Sequence, residues 1–311
     1  MKKAPLYTEI AEAPSGGLAY WIKADDGVRL RIGLWQKTGM CKGTILFFCG
    51  RTGYIEKYGR TVKDFHTYGY SCLVVDWRGQ GLSDRLTEDP RTGHVNLFSD
   101  YQKDVAAMVK AATNLNLPKP WYLFGNSMGC CIGFRSLSEG LPVAASVFTA
   151  PMWDISLTPL ESLFARPISW FAQAIGKGYI YTPGRKGQIY VLTTSFEENS
   201  LTNDPDMYQY YIKQAQTLVE AQIGAPSMGW LYQALKELDS LTRLASPSVP
   251  CIAFLGDADS VVGREAIEHR MACWTGGRLE LVKNGKHNLL CEVPEIRNPI
   301  TKQICQFFSV K

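Results

Sequence analysis

The sequence has no run of about 18 uninterrupted apolar residues, so no segment reads as a span of a bilayer. It also lacks a block of like charge. The 33 basic and 29 acidic residues leave a formal net charge of +4 with no clustered basic stripe. That argues against a nucleic-acid partner and allows at most weak attraction to an anionic membrane surface. The amino end, MKKAPLYTEIAEAPSGG, carries two lysines but no apolar stretch of signal-peptide length. Nine cysteines include no CxxC and no Cys/His pair at zinc spacing, which speaks against a metal site. Cys49, Cys72 and Cys251 sit inside apolar runs, where buried free thiols are expected. Such thiols belong in a reducing compartment, so the expected location is cytoplasmic, with at most peripheral contact at the inner membrane face. Histidine is scarce, with four in the chain.

What is present is enough for one large core. The 311 residues are 46% hydrophobic, which suits a single big domain or one domain with an insertion. LAYWIKA (18–24) and VRLRIGLWQ (28–36) flank Asp26-Gly27 and predict an antiparallel hairpin. GTILFFCG, YSCLVVDWRG, WYLFGNS, AASVFTAP and VPCIAFLG read as continuous apolar strands. Helical stretches at 54–69 and 101–115 separate the early ones. Strands of this kind alternating with helices predict an α/β fold: a mostly parallel twisted sheet with helices on both faces. The rhythm stops over 152–230 and returns with RLELVKNGKHNLLCE. The expected organisation is therefore a core in two parts, 1–151 and 231–311, interrupted by a helical cap over 152–230. Thr158-Pro159-Leu160-Glu161 is a strong helix start, and Pro167 is expected to end or kink that helix.

Residues 125–129, Gly125-Asn126-Ser127-Met128-Gly129, form the pattern G-x-S-x-G where an apolar strand meets a helix. At such an elbow the serine backbone is strained and its hydroxyl stands clear of the sheet, while side chains two residues away on either side would collide. The helix dipole and the Met128 N–H then face the place where an oxyanion would form. A helix-capping serine between packing glycines is the plainer alternative. A serine nucleophile needs a base and an orienting acid. His287 follows the last strand in NGKHNLLCE, in the position of a base. His66 and His269 read as structural or solvated, and His94 lies in a loop that could approach the site. Asp257 and Asp259 both follow strand CIAFLG; Asp259, further past the strand end, is better placed to reach a histidine. The order Ser127, Asp259, His287, each after a different strand, fits an α/β-hydrolase triad.

With these residues in view, the chain resembles the serine-hydrolase branch of α/β-hydrolases that contains bacterial lysophospholipases and monoacylglycerol lipases. The likeness lies in CGRTGYIEKYGRTVKDFHTYGYSCLVVDWRGQGLSDR, GHVNLFSDYQKDV, GNSMG, TAPMWDI, GDADSVV and GKHNLLCE, and covers roughly residues 20–310. The resemblance puts Ser127, Asp259 and His287 on the triad positions. It implies oxyanion donors from the backbone N–H groups of Arg51 and Met128, although Cys49-Gly50 stands where the branch usually carries His-Gly. Cys130 and Cys131 replace small residues after the elbow and read as helix packing. Arg78 to Asp84 reads as a structural turn without the lysine of a phosphate-binding loop. Leu160, Leu163, Phe164, Ile168, Trp170, Phe171 and Ile175 read as cap packing against the sheet domain, or as an acyl groove or membrane-facing patch. Leu160, Phe164 and Phe171 are the expected substrate contacts.

The expected reaction is hydrolysis of the carboxylic ester of a single-chain lipid, a lysophospholipid or a monoacylglycerol, without metal or organic cofactor. The same triad would serve a short-chain carboxylesterase or a peptidase. A catalytically silent binding protein of the same fold is the alternative of another class.

Overall fold

The computed structural model describes residues 1–310. Nine strands form one sheet: β1 (Lys2–Lys3), β2 (Leu18–Lys23), β3 (Arg29–Trp35), β4 (Thr44–Phe48), β5 (Ser71–Asp76), β6 (Trp121–Asn126), β7 (Ala145–Thr149), β8 (Cys251–Gly256) and β9 (Gly277–Val282). Their order across the sheet is β1-β2-β3-β5-β4-β6-β7-β8-β9. The pairs β1–β2, β2–β3 and β3–β5 are antiparallel, and every pair from β5 to β9 is parallel. Strands β4 to β8 are buried at every position, because helices cover both faces. β9 lies at the edge, with its residues half-buried or exposed.

The strand order reverses at β4. The chain runs from β4 outward to β5 on one side, then returns to lay β6 on the other, pairing Phe48 with Gly125. The carboxyl ends of β4 and β6 diverge into separate loops at this switch point, which is where open α/β sheets leave a crevice. Beneath it lie Phe47 and Phe124, with ring centroids 4.6 Å apart.

One core element is ionic. Arg31 on β3 is fully buried and bonds Glu56 through both terminal nitrogens (2.8 and 2.6 Å) and Asp76 through Nε (2.8 Å). Asp76 also accepts from the backbone N–H groups of Ile55 and Leu82, each at 2.8 Å. Its carbonyl accepts from the Ser83 hydroxyl at 2.6 Å. Together with Arg78 bonded to Asp104 (2.8 Å), these contacts make the 78–84 segment the structural turn expected of it. Replacing Arg31 by methionine should therefore lower the unfolding free energy by about 3–5 kcal/mol, because two buried carboxylates lose their counter-charge. Urea unfolding at neutral pH measures it, and a loss below about 1 kcal/mol would contradict this account.

Between β7 and β8 the chain is helical: Pro159–Ala174, Tyr190–Thr193, Pro205–Thr217 and Met228–Thr242. The first begins with the expected capping box, with Glu161 N–H donating to Thr158 Oγ1 (3.3 Å) and Thr158 N–H to Glu161 Oε2 (2.9 Å). It does not end at Pro167 but runs on to Ala174. The carbonyl one turn back belongs to Leu163, which is 67% exposed, so water can donate the bond that proline, with no N–H, cannot make. Helix Met228–Thr242 carries the chain across residue 230 without a break and buries Ala234, Leu238 and Leu241 in the main core. Helix Pro205–Thr217 is tied to the core as well, through Tyr210 Oη to the carbonyls of Ala11 (2.7 Å) and Glu56 (2.9 Å).

Candidate active site

Strand β6 ends at Asn126 and a helix starts at Met128, leaving Ser127 alone at the bend with φ 52° and ψ −117°. This is a strained conformation for a residue with a Cβ. The flanking glycines allow it. A Cβ on Gly129 would strike the Phe48 carbonyl, and one on Gly125 would lie 3.1 Å from the Cys130 nitrogen. Met128 is the first residue of its helix, so its N–H has no carbonyl one turn back within that helix.

His287 comes to the serine from the loop after β9. Its Nε2 lies 3.0 Å from Ser127 Oγ, and its Nδ1 lies 2.8 Å from Asp259 Oδ2. Asp259 accepts two backbone bonds on its other oxygen, from Val261 (2.7 Å) and Val262 (3.3 Å), and its side chain is fully buried. An acceptor opposite Nδ1 requires the proton on Nδ1, which leaves Nε2 free to accept from the serine hydroxyl. Asp257 is exposed and does something else: its Oδ1 accepts from Asn284 N–H at 2.6 Å, closing the turn after β9.

The loop after β4 lies alongside. A Cβ on Gly50 would meet Ser127 Cβ at 3.3 Å, so the loop backbone passes directly over the serine. Gly50 N–H donates to Tyr58 Oη (3.0 Å) and Thr52 N–H to Gln80 Oε1 (2.7 Å), pinning the chain on both sides of Arg51. Trp77 Nε1 holds the Cys49 carbonyl at 2.8 Å. Tyr58 also receives Asn126 Nδ2 (3.3 Å), joining this loop to the elbow. Thus Tyr58, Trp77 and Gln80 support the loop that carries Cys49 and Arg51. Sequence reasoning did not assign them this task, and only YIEKY and DWRGQG mark their neighbourhoods.

The histidine loop is fastened to the helical region. His287 N–H donates to Ser200 O (3.2 Å), and Asn288 N–H to Leu201 O (2.8 Å). The buried Glu292 carboxylate receives the backbone N–H groups of Lys286 and Asn203, each at 2.8 Å. His94 is not part of the serine chain. It is buried between Ser227 Oγ (2.7 Å) and Asn96 Oδ1 (3.1 Å), where burial lowers its pKa. His66 is half-buried and His269 is exposed on helix Arg264–Ala272. Cys130 and Cys131 are fully buried, and burial pushes both thiols well up, away from thiolate chemistry.

Leu160, Phe164 and Phe171 do not pack against the sheet domain; they are 68%, 46% and 58% exposed. Leu163, Ile168, Trp170 and Ile175 are exposed as well. Helix Pro159–Ala174 buries only Ser169 and Ala172, and Arg166 pairs with Asp239 on the neighbouring helix. No helix among the described residues is long and apolar enough to cross a membrane.

Residues 39–294 match the family model described as serine aminopeptidase, S33. The chain belongs to that family. Among curated relatives, lysophospholipase L2 of Escherichia coli strain K12 is 28% identical over 278 residues, which cover 84% of this chain and 78% of that one. Among solved structures, a soluble variant of Saccharomyces cerevisiae monoglyceride lipase, in complex with a substrate analogue, superposes with a TM-score of 0.70. Its identity is 16%, and the match covers 92% of this chain and 93% of that one. A thermostable carboxyl esterase from Bacillus coagulans gives a TM-score of 0.74 at 14% identity, covering 94% and 98%. These likenesses show the α/β-hydrolase fold expected from the strand pattern.

Proposed function

We propose that the protein hydrolyses the carboxylic ester of a single-chain lipid, a lysophospholipid or a monoacylglycerol, through an acyl-enzyme on Ser127. The observation that carries the reading is the bonded line Asp259–His287–Ser127, at 2.8 and 3.0 Å, set beside the loop backbone of Arg51. His287 Nε2 takes the serine proton as Oγ attacks the ester carbonyl. The N–H groups of Arg51 and Met128 receive the negative oxygen, which needs them more in the transition state than in the substrate. Asp259 holds the imidazole in the Nδ1–H form and stabilises its cation. The imidazolium then protonates the glycerol oxygen that leaves. Water, deprotonated by His287 in the same way, releases the fatty acid and restores Ser127.

The lipid part of the reading rests on the lysophospholipase and monoglyceride lipase relatives and on the exposed apolar row of helix Pro159–Ala174. Seven large apolar side chains exposed on a helix and its C-terminal flank form a patch suited to the acyl–headgroup boundary of a membrane. We assign residues 152–230 as a cap that meets the lipid surface with this helix, and Leu160, Phe164 and Phe171 as the contacts for an acyl chain.

The test is a fluorophosphonate label, which should map to Ser127 and not to Cys130 or Cys131, combined with hydrolysis of esters of graded chain length. If the row grips the acyl chain, kcat/KM should rise with each added methylene by a ceiling of about 0.8 kcal/mol, roughly fourfold, until the contact is full. Phe171→Gln or Phe164→Gln should flatten that rise while short esters are still turned over. A profile peaking at two to four carbons would reject the lipid reading in favour of a small-ester hydrolase.

A further inference from the structure

The Arg51 side chain is a cation without a counter-ion among the described residues. Its Nη2 donates to the Gly224 carbonyl at 2.5 Å, and its guanidinium carbon stands 5.4 Å from the centre of the Trp230 ring. A Cβ on Gly93 would collide with it, so the group lies in the seam where the Gly93 loop meets the 224–230 segment. Its Nε is buried with no hydrogen-bond partner among the described residues. Burial, opposed only by the nearby Tyr101, brings its pKa down to about 10, whereas a carboxylate partner would raise it.

A second buried donor is also without an acceptor among the described residues. Gln80 Oε1 is committed to Thr52 N–H, which fixes the orientation of the amide. Its Nε2 is then the free end, and it too is buried without a partner among the described residues. Thus two donors with no acceptor belong to one short loop and the turn that braces it. Leaving such groups unsatisfied is costly, and a ligand anion removes the cost.

The geometry points to a binding subsite in which the Arg51 guanidinium and the Gln80 amide accept the phosphodiester of a lysophospholipid head group. The inference rests on the ester-hydrolase reading and narrows it. With the ester carbonyl held at the Arg51 N–H, the phosphorus of a lysophospholipid is six covalent bonds from the carbonyl carbon. That is roughly 7.5 Å in extended form, since each bond of about 1.5 Å advances a zigzag chain by about 1.25 Å. An arginine side chain extends from its own backbone by a similar length, so one residue can offer its N–H to the reacting oxygen and its guanidinium to the phosphate. A monoacylglycerol has a neutral hydroxyl at that place and gains nothing from the charge. The planar fork suits two phosphate oxygens, which an ammonium would hold as a point charge only.

The test compares lysophosphatidylcholine with the 1-monoacylglycerol of the same chain in identical mixed micelles, reading the ratio of the two kcat/KM values. The wild-type protein should favour the phosphodiester. Arg51→Gln should lower the ratio by about 10- to 100-fold, and Arg51→Lys should restore part of it. Gln80→Glu keeps the acceptor for Thr52 N–H but puts a negative charge where the free amide stood, so it should lower the ratio as well. Inorganic phosphate should compete with the monoacylglycerol in the wild-type protein and lose that effect in Arg51→Gln. A wild-type preference for the neutral lipid, or a ratio that all three variants leave within twofold, overturns the subsite. Phosphate competition with an unmoved ratio means a free-anion site and likewise overturns the head-group assignment. Failure to hydrolyse either lipid instead overturns the ester reading beneath it.

Discussion

Ser127→Ala should lower ester turnover by roughly 10⁵- to 10⁶-fold, since loss of the nucleophile disables the base and acid that serve it, while oxyanion donors and substrate contacts persist. The variant should keep its fold. Among the described residues Ser127 Oγ makes one hydrogen bond, to His287, and its backbone bonds to Thr149 and Met152 do not involve the side chain. The fluorophosphonate label should vanish with the hydroxyl. Activity within tenfold of the wild type would remove Ser127 from the mechanism. A companion variant separates chemistry from strain. Ser127→Gly is equally without a nucleophile, but glycine adopts φ 52° without the Cβ clash. It should therefore be more stable than Ser127→Ala by about 1 kcal/mol, read from paired urea or thermal melts. Equal stabilities would mean that the bend stores no strain.

The elbow was legible in the sequence because its constraint is local. Five consecutive residues encode both the bend and the two places where a side chain cannot fit. Strands β4 to β8 were legible for a similar reason, since burial on both faces leaves continuous apolar runs. Their positions after strand ends make His287 and Asp259 candidates for base and acid, but the preference for Asp259 over Asp257 depends on reach, which sequence expresses only as a separation of two residues. What the sequence does not display is held by contacts that only the fold creates. Trp77 and Gln80 brace the loop after β4 from 28 residues further along and Tyr58 from 8, and no sequence spacing marks these contacts. The continuation of a helix through Pro167 depends on whether the orphaned carbonyl meets water, a property of the folded surface. No boundary near residue 230 is marked in the sequence either, because helix Met228–Thr242 packs both on helix Pro159–Ala174 and, through Ala234, Leu238 and Leu241, in the main core. The sequence shows Arg51 only as a residue between two others; that it has no carboxylate partner among the described residues follows from where the fold places the acids.

The two aspartates after β8 carry the same side chain but differ in its partner and burial, and their asparagine variants should separate by orders of magnitude. At position 259 the carboxylate faces His287 Nδ1 at 2.8 Å with its side chain out of water. Asparagine has nearly the same shape but can present an N–H donor to the ring, which then favours the Nε2–H tautomer that cannot take the serine proton. It also withdraws the charge that stabilises the imidazolium. The expected loss in kcat approaches about 10⁴-fold, as in the serine-protease precedent for this substitution. At position 257 the oxygen accepts one exposed backbone N–H, from Asn284 at 2.6 Å, and an asparagine oxygen can do the same. Asp257→Asn should therefore keep activity within a few-fold and cost at most about 1 kcal/mol of stability, the scale of a lost capping bond. Steady-state kinetics on both variants, with melts to confirm folding, decides the matter. If Asp257→Asn is the crippled enzyme and Asp259→Asn is not, the bonded line through His287 is not the one that works.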